Sequence, residues 1–201
     1  MFYLEKRRID RNHGIDLLRI IAMLMVVILH VILQGGIEEN VSKYSVKWFV
    51  VWFLIILCSC SVNVFGLISG YCGVDKKFYY IKIYRFWMVV FFYTLCGFLL
   101  FNRGTLEEVL RAFFPICMRD YWYVTAYITL CCLMPLLNHI VVNCKKDQIR
   151  FSLISLFFLW SIVSQMPYLS NNLIELQNGF SVIWLMYLYI LGGVCTLIWN
   201  S

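Results

Sequence analysis

Long apolar runs separated by short charged segments organise this chain. Six runs stand out, near residues 15–34, 47–71, 83–101, 121–142, 150–168 and 180–199. Each is close to the roughly 20 residues that a helix needs to cross the hydrocarbon core of a bilayer. Only a few polar groups interrupt them, and the connecting segments hold most of the charge. The pattern predicts an all-α protein, a polytopic transmembrane helical bundle of about six helices. We find no internal repeat, no low-complexity stretch and no soluble domain, so residues 1–201 read as a single transmembrane domain.

The first run is the most informative. It is apolar enough to span, yet it carries Asp16, Arg19 and His30. An ionisable group at membrane depth costs roughly 2.5–3.5 kcal/mol on insertion scales unless a partner or water reaches it. Arg19 and His30 are eleven residues apart. On a helix that separation puts them within about 20° of each other and about 16 Å apart along the axis. Asp16 precedes Arg19 by three residues, a spacing at which helical side chains pair. One helix thus carries an ion pair and an imidazole along one line at two depths. A plainer reading stays open: a boundary salt bridge with Arg19 reaching up to the headgroups, and a polar His30 satisfied by a neighbouring helix.

Composition agrees with the membrane reading, because 62% of the 201 residues are hydrophobic and only 14% are charged. A soluble domain of this length exposes more charge than that. The net charge of +6 does not point to nucleic acid, since the cations lie in short clusters between the apolar runs rather than on one face. Lys6, Arg7, Arg8, Arg11, Lys76, Lys77, Lys82, Arg85, Lys145, Lys146 and Arg150 fall on one side of the predicted topology. Lys43, Lys47, Arg103, Arg111 and Arg119 fall on the other. The positive-inside bias therefore puts the N-terminus in the cytoplasm, and with six spans the C-terminus too. His30 then lies toward the outer end of the first span and Arg19 toward the inner end. The basic N-terminus followed by an apolar core resembles a signal peptide. With Asp16 and Arg19 inside that core and no small-residue cleavage site after it, an uncleaved first helix is expected. The nine cysteines include six within apolar runs, and none forms a Cys/His cluster with metal-ligand spacing, so no metal is expected.

Smaller features follow along the chain. Leu106, Val109, Leu110, Phe113 and Phe114 recur at helical spacing, which predicts a short amphipathic helix in the outer loop 102–120, stopped by Pro115. Tyr121-Trp122-Tyr123 opens the fourth span as an interfacial aromatic anchor, and Pro135 is expected to kink that span. Gly192-Gly193 would allow close helix contact. Between the second and third spans, Lys82 and Arg85 are three residues apart at a predicted helix start, placed at the cytoplasmic surface level with Arg19. Such a trio suits the phosphates of a nucleotide-type ligand, and lipid headgroup contact is the other reading of the same cations.

The motifs then converge on a family. Gly14-Ile-Asp16, Arg19 and, after ten intervening residues, His30 resemble the opening of the acyltransferase 3 family of integral membrane acyltransferases. Leu67-Ile68-Ser69-Gly70-Tyr71 is similar to the end of that family's second helix. Lys82-x-x-Arg85 is similar to its basic motif, with Lys in place of the first Arg. Tyr121-Trp122-Tyr123 followed by Pro135-Leu136-Leu137 resembles a later helix. Members usually have about ten helices, so the chain is expected to correspond to the N-terminal part of the family domain only.

The resemblance implies transfer of an acyl group, commonly acetyl from acetyl-CoA, to a hydroxyl of a cell-envelope carbohydrate or lipid-linked acceptor. It implies that Arg19, Lys82 and Arg85 hold the phosphates of acyl-CoA and that His30 is the general base that deprotonates the acceptor hydroxyl or a relay for that proton, with Asp16, Ser69, Tyr71 and Trp122 in support. An imidazole titrates near neutrality, which suits the task. Partners expected are the envelope acceptor and membrane lipid, without nucleic acid. Three other readings remain open: the membrane half of an enzyme whose acyltransferase-like domain serves another activity, an inactive fragment, and a transporter or sensor bundle in which His30 is a proton-coupled switch.

Overall fold

The computed structural model describes residues 12–74, 76–77, 79–101, 122–162 and 181–199. These residues form helices and the turns between them: α1 (His13–Gln34), α2 (Val46–Ser59), α3 (Ser61–Gly73), α4 (Ile81–Phe101), α5 (Trp122–Asn143), α6 (Lys146–Ile162) and α7 (Val182–Trp199). Among the described residues, four stretches are long and apolar enough to cross a membrane: His13–Gln34, Val46–Gly73, Ile81–Leu100 and Trp122–Asn143. Val182–Ile198 is a shorter apolar helix. The expected amphipathic helix at 102–120, the N-terminal cations before Asn12 and the end of the fifth run lie outside the described residues.

The second run is one span in length but two helices in structure. Its ladder is interrupted at Cys60, within Cys58-Ser59-Cys60-Ser61. The Ser59 hydroxyl donates to the Ile55 carbonyl at 2.6 Å, and the Cys60 thiol contacts the Leu57 carbonyl at 3.0 Å. Short polar side chains that bond back to the preceding turn compete with the backbone ladder and loosen it. The helix restarts with the Val64 N–H donating to the Cys60 carbonyl at 3.1 Å.

The chain divides into two compact units, Met1–Ile68 and Ser69–Ser201, with the division inside α3. In the first unit α2 packs against α1 after the connection 35–45. Asn12 caps α1 by accepting the Ile15 N–H at 3.2 Å, and Ser45 caps α2 by accepting the Trp48 N–H at 3.2 Å. The chain leaves α1 through Gly36, whose φ of 68° is open to glycine without steric cost. Small side chains, Ala22 and Cys58, are among the buried ones, as helix contact in a lipid environment favours. Leu17, Ile20, Met23, Leu24, Phe53 and Ile56 stand outward, where acyl chains would surround them.

The second unit is built on α5 and α7, which pack together. Leu130, Met134, Leu137 and Val141 form a buried seam on α5 at alternating spacings of four and three. Leu185, Leu188 and Tyr189 are buried on α7, and Ile149 and Leu153 on α6. Tyr187 donates its hydroxyl to the Leu153 carbonyl at 3.2 Å, tying α7 to α6. Pro135 lies inside α5, and the helix runs on through it. It has no N–H, so the Cys131 carbonyl loses its usual i+4 partner there.

Candidate functional site

On α1 the ion pair expected from the spacing forms. An Arg19 terminal nitrogen donates to Asp16 Oδ1 at 3.0 Å, with both side chains partly exposed. Asp16 lies in the first turn of the helix, where a negative charge also meets the positive end of the helix dipole. Arg19 is thereby oriented along α1 by a local contact.

His30 is exposed on the flank of α1, and its Nδ1 lies 2.8 Å from the Val26 carbonyl oxygen, one turn back. A carbonyl only accepts, so Nδ1 must be the donor. In the neutral ring Nε2 then carries the lone pair. The helix backbone thus selects the tautomer and aims the basic nitrogen away from its own carbonyls. Val26 was not a residue that the sequence singled out; the four-residue spacing to His30 was the available signal.

On α4, Lys82 and Arg85 occupy the first turns and both are exposed. Bonds from the Lys82 N–H to the Tyr79 carbonyl at 3.0 Å and from the Ile83 N–H to the Tyr80 carbonyl at 2.9 Å set that helix start. The first turn of α4 holds no acidic residue. Cations at a helix N-terminus oppose the dipole, so this pair does not serve the helix. An anion there would meet two cations and the positive end of the helix dipole. Beside Arg85, the Phe86 ring packs edge-on against Tyr127 with centroids 5.5 Å apart. Tyr127 is in the second turn of α5, so the start of α4 runs alongside the first half of α5.

The Ser69-Gly70-Tyr71 segment lies at the C-terminal end of α3, and its role is visible in packing. A Cβ on Gly70 would sit 2.7 Å from the carbonyl carbon of Tyr189 and 2.9 Å from its Cα, and closer still to its oxygen. Gly70 is therefore the point at which α3 meets the backbone of α7. The Tyr71 carbonyl accepts from the Thr196 hydroxyl at 2.8 Å. Ser69 and Tyr71 are half-buried, and Trp122 is at the exposed start of α5 with its ring against Tyr123. The structure thus gathers Gly70, Gly73, Asn138, Tyr189 and Thr196 in the second unit. Asn138 and Thr196 were legible only as polar residues inside apolar runs.

A family model for an acyltransferase domain, acyltransferase 3, matches residues 12–200. The chain belongs to the acyltransferase 3 family. No curated protein and no solved structure matches it. The match begins at the residue that caps α1 and runs through α7, so both units of the fold belong to the acyltransferase domain. The protein is a membrane acyltransferase in its general class, all-helical among the described residues.

Proposed function

We propose that this acyltransferase moves an acyl group, commonly acetyl, from acyl-CoA to a hydroxyl of a cell-envelope carbohydrate or similar acceptor. His30 is the general base, and Arg19, Lys82 and Arg85 are contacts for the donor's phosphates. The protein would lie in the cell membrane with its N-terminus in the cytoplasm, as the bias of Lys and Arg supports. Asp16 orients Arg19, while Ser69, Tyr71 and Trp122 would support the site through the packing around them.

The observation that carries this reading is the Nδ1 contact of His30 with the Val26 carbonyl. It leaves Nε2 as the proton acceptor. In the reaction Nε2 takes the proton of the acceptor hydroxyl as its oxygen attacks the thioester carbonyl carbon. The C–O bond forms, the C–S bond breaks, and the proton returns from the imidazolium to the departing thiolate. The imidazolium that forms in between keeps its Nδ1–H bond to Val26, which stabilises the charge. Arg19, about 16 Å below on the same helix, is separated from His30 by a span that an extended pantetheine arm can bridge.

The test is His30→Gln and His30→Asn, assayed as transfer of labelled acetyl from acetyl-CoA to envelope material in membranes carrying equal amounts of each protein. Neither amide titrates near neutrality, so the rate should fall about 10²–10⁴-fold. Transfer by His30→Gln within a fewfold of the parent would reject the general-base role and leave His30 a packing residue.

A further inference from the structure

Three elements of the second unit meet in a partly buried chain of hydrogen bonds that the proposed reaction does not use. Tyr189 on α7 is fully buried, and its hydroxyl donates to Asn138 Oδ1 on α5 at 2.7 Å. The same amide donates through Nδ2 to the Gly73 carbonyl at the end of α3, at 3.2 Å. That carbonyl also accepts the Lys76 N–H at 3.1 Å. The last carbonyls of a helix have no partner within it and are costly to leave bare in an apolar setting. Here side chains from two other helices supply partners: Asn138 for Gly73, and Thr196 for Tyr71.

Packing alone does not need this chain. A Phe and a Leu would fill the same volume without polar groups to satisfy, and such replacements are often neutral or better for stability. What a bonded polar chain adds is a preferred arrangement of the helices that carry it. It fixes where α3 ends. A Cβ on Gly73 would stand 2.8 Å from the Tyr189 hydroxyl, so the backbone approaches that group at closest range. Val74, the next residue, is buried against Gly193.

The other end of the connection is fixed as well. Phe86, beside Arg85, packs on Tyr127 of α5, eleven residues from Asn138 on the same helix. Those two anchor points are therefore about 16 Å apart along α5. The chain between Gly73 and Phe86 carries Lys76, Lys77, Lys82 and Arg85.

We propose that Tyr189 and Asn138 are positioning residues for donor binding: by fixing the end of α3 they set the place from which the basic strap to Lys82 and Arg85 departs. The proposal rests on the reading of Lys82 and Arg85 as donor contacts. Neither Tyr189 nor Asn138 touches the donor in this account. They act through the Gly73 carbonyl.

The test measures affinity of the purified full chain for a non-transferable acyl-CoA analogue, with the thermal midpoint recorded for each variant. Tyr189→Phe removes the donor to Asn138, and Asn138→Asp keeps the acceptor for Tyr189 while removing the donor to Gly73. Both should weaken analogue binding about three- to tenfold, the worth of one hydrogen bond. Tyr189→Phe added to Lys82→Ala with Arg85→Ala should cause no further loss. If the two single variants lower the thermal midpoint but bind the analogue as the parent does, the chain is structural only and the proposal is overturned. Additive losses in the triple variant overturn it too. Should Lys82→Ala with Arg85→Ala bind like the parent, or the parent fail to bind, the donor-contact reading itself falls. A loss in that double variant with none in Tyr189→Phe removes the positioning role and leaves the reading intact.

Discussion

Gly70→Ala is the perturbation whose outcome the packing fixes most tightly. The added methyl carbon would lie 2.7 Å from the Tyr189 carbonyl carbon and 2.9 Å from its Cα. Ordinary carbon–carbon contact is about 3.5–4.0 Å, so α3 and α7 would have to part by roughly 1 Å. The obstacle is backbone, which cannot swing aside as a side chain can. Tyr189 is fully buried at that contact, and Thr196 bonds the Tyr71 carbonyl one residue on, so the shift would strain both. Overpacking costs about 1–3 kcal/mol, and an immovable neighbour places this case at the upper end. For a chain of this size about 3 kcal/mol corresponds to roughly 6–12 °C in thermal midpoint. Gly97→Ala is the internal control. Gly97 is also helical, in α4, and a Cβ there meets nothing within 4 Å. Replacement should be neutral, or stabilising by up to about 1 kcal/mol through helix propensity. The assay is thermal unfolding of the two purified variants and the parent in the same detergent. Equal midpoints for Gly70→Ala and Gly97→Ala would refute the close approach of α3 to α7.

On α1, Arg19→Lys keeps a positive charge and should retain much of the donor affinity, whereas Arg19→Ala should lose it; equal effects in analogue binding would argue against a phosphate contact. Asp16→Asn should change the thermal midpoint little, because a partly exposed i,i+3 pair is worth about 0–1 kcal/mol, but should lower analogue affinity by freeing the Arg19 side chain. For topology, single cysteines in a cysteine-free background should label from outside in the segment 36–44 and only after permeabilisation at Lys76 or Lys77. Labelling of both from one side would refute the orientation derived from the Lys and Arg bias.

Much of the fold was legible because a bilayer imposes one length scale on every span. The runs at 15–34, 83–101 and 121–142 correspond to α1, α4 and α5 with small shifts at their ends. The break at Cys60 was not foreseen. Hydropathy averages over Cys58 to Ser61, while the interruption depends on which hydroxyl or thiol bonds back to which carbonyl. The α6 start at Lys146 lies before the apolar run because charged residues are tolerated in a first turn, where Asp147 meets the dipole. On the site side, local spacing sufficed for Asp16 and Arg19. It could not reveal that Gly70 exists for the backbone of Tyr189, 119 residues later, or that Asn138 bonds Gly73 across 65 residues. Those contacts are set by tertiary packing, which a single sequence records only as a small or polar residue in an apolar run.

This difference in origin separates the two parts of the chemistry. On α1 the ionic contact spans three residues and the His30 contact four, so helix formation alone creates both. The tautomer of His30 is then a local property, as durable as the turn that holds Val26. The basic strap has no such local guarantee. Its departure point depends on α3, α5 and α7 meeting through Gly70, Asn138 and Tyr189, and its far end on Phe86 meeting Tyr127. On the positioning proposal, a change anywhere in that set should move Lys82 and Arg85 without touching them. Substitutions on α1 should therefore act by removing a functional group, with effects confined to the residue replaced. Substitutions in the second unit should act by displacement, so residues far from one another in sequence will share one phenotype, weakened donor binding. If Gly70→Ala, Asn138→Asp and Tyr189→Phe bind the donor as the parent does once matched for folded protein, the strap does not take its position from that contact.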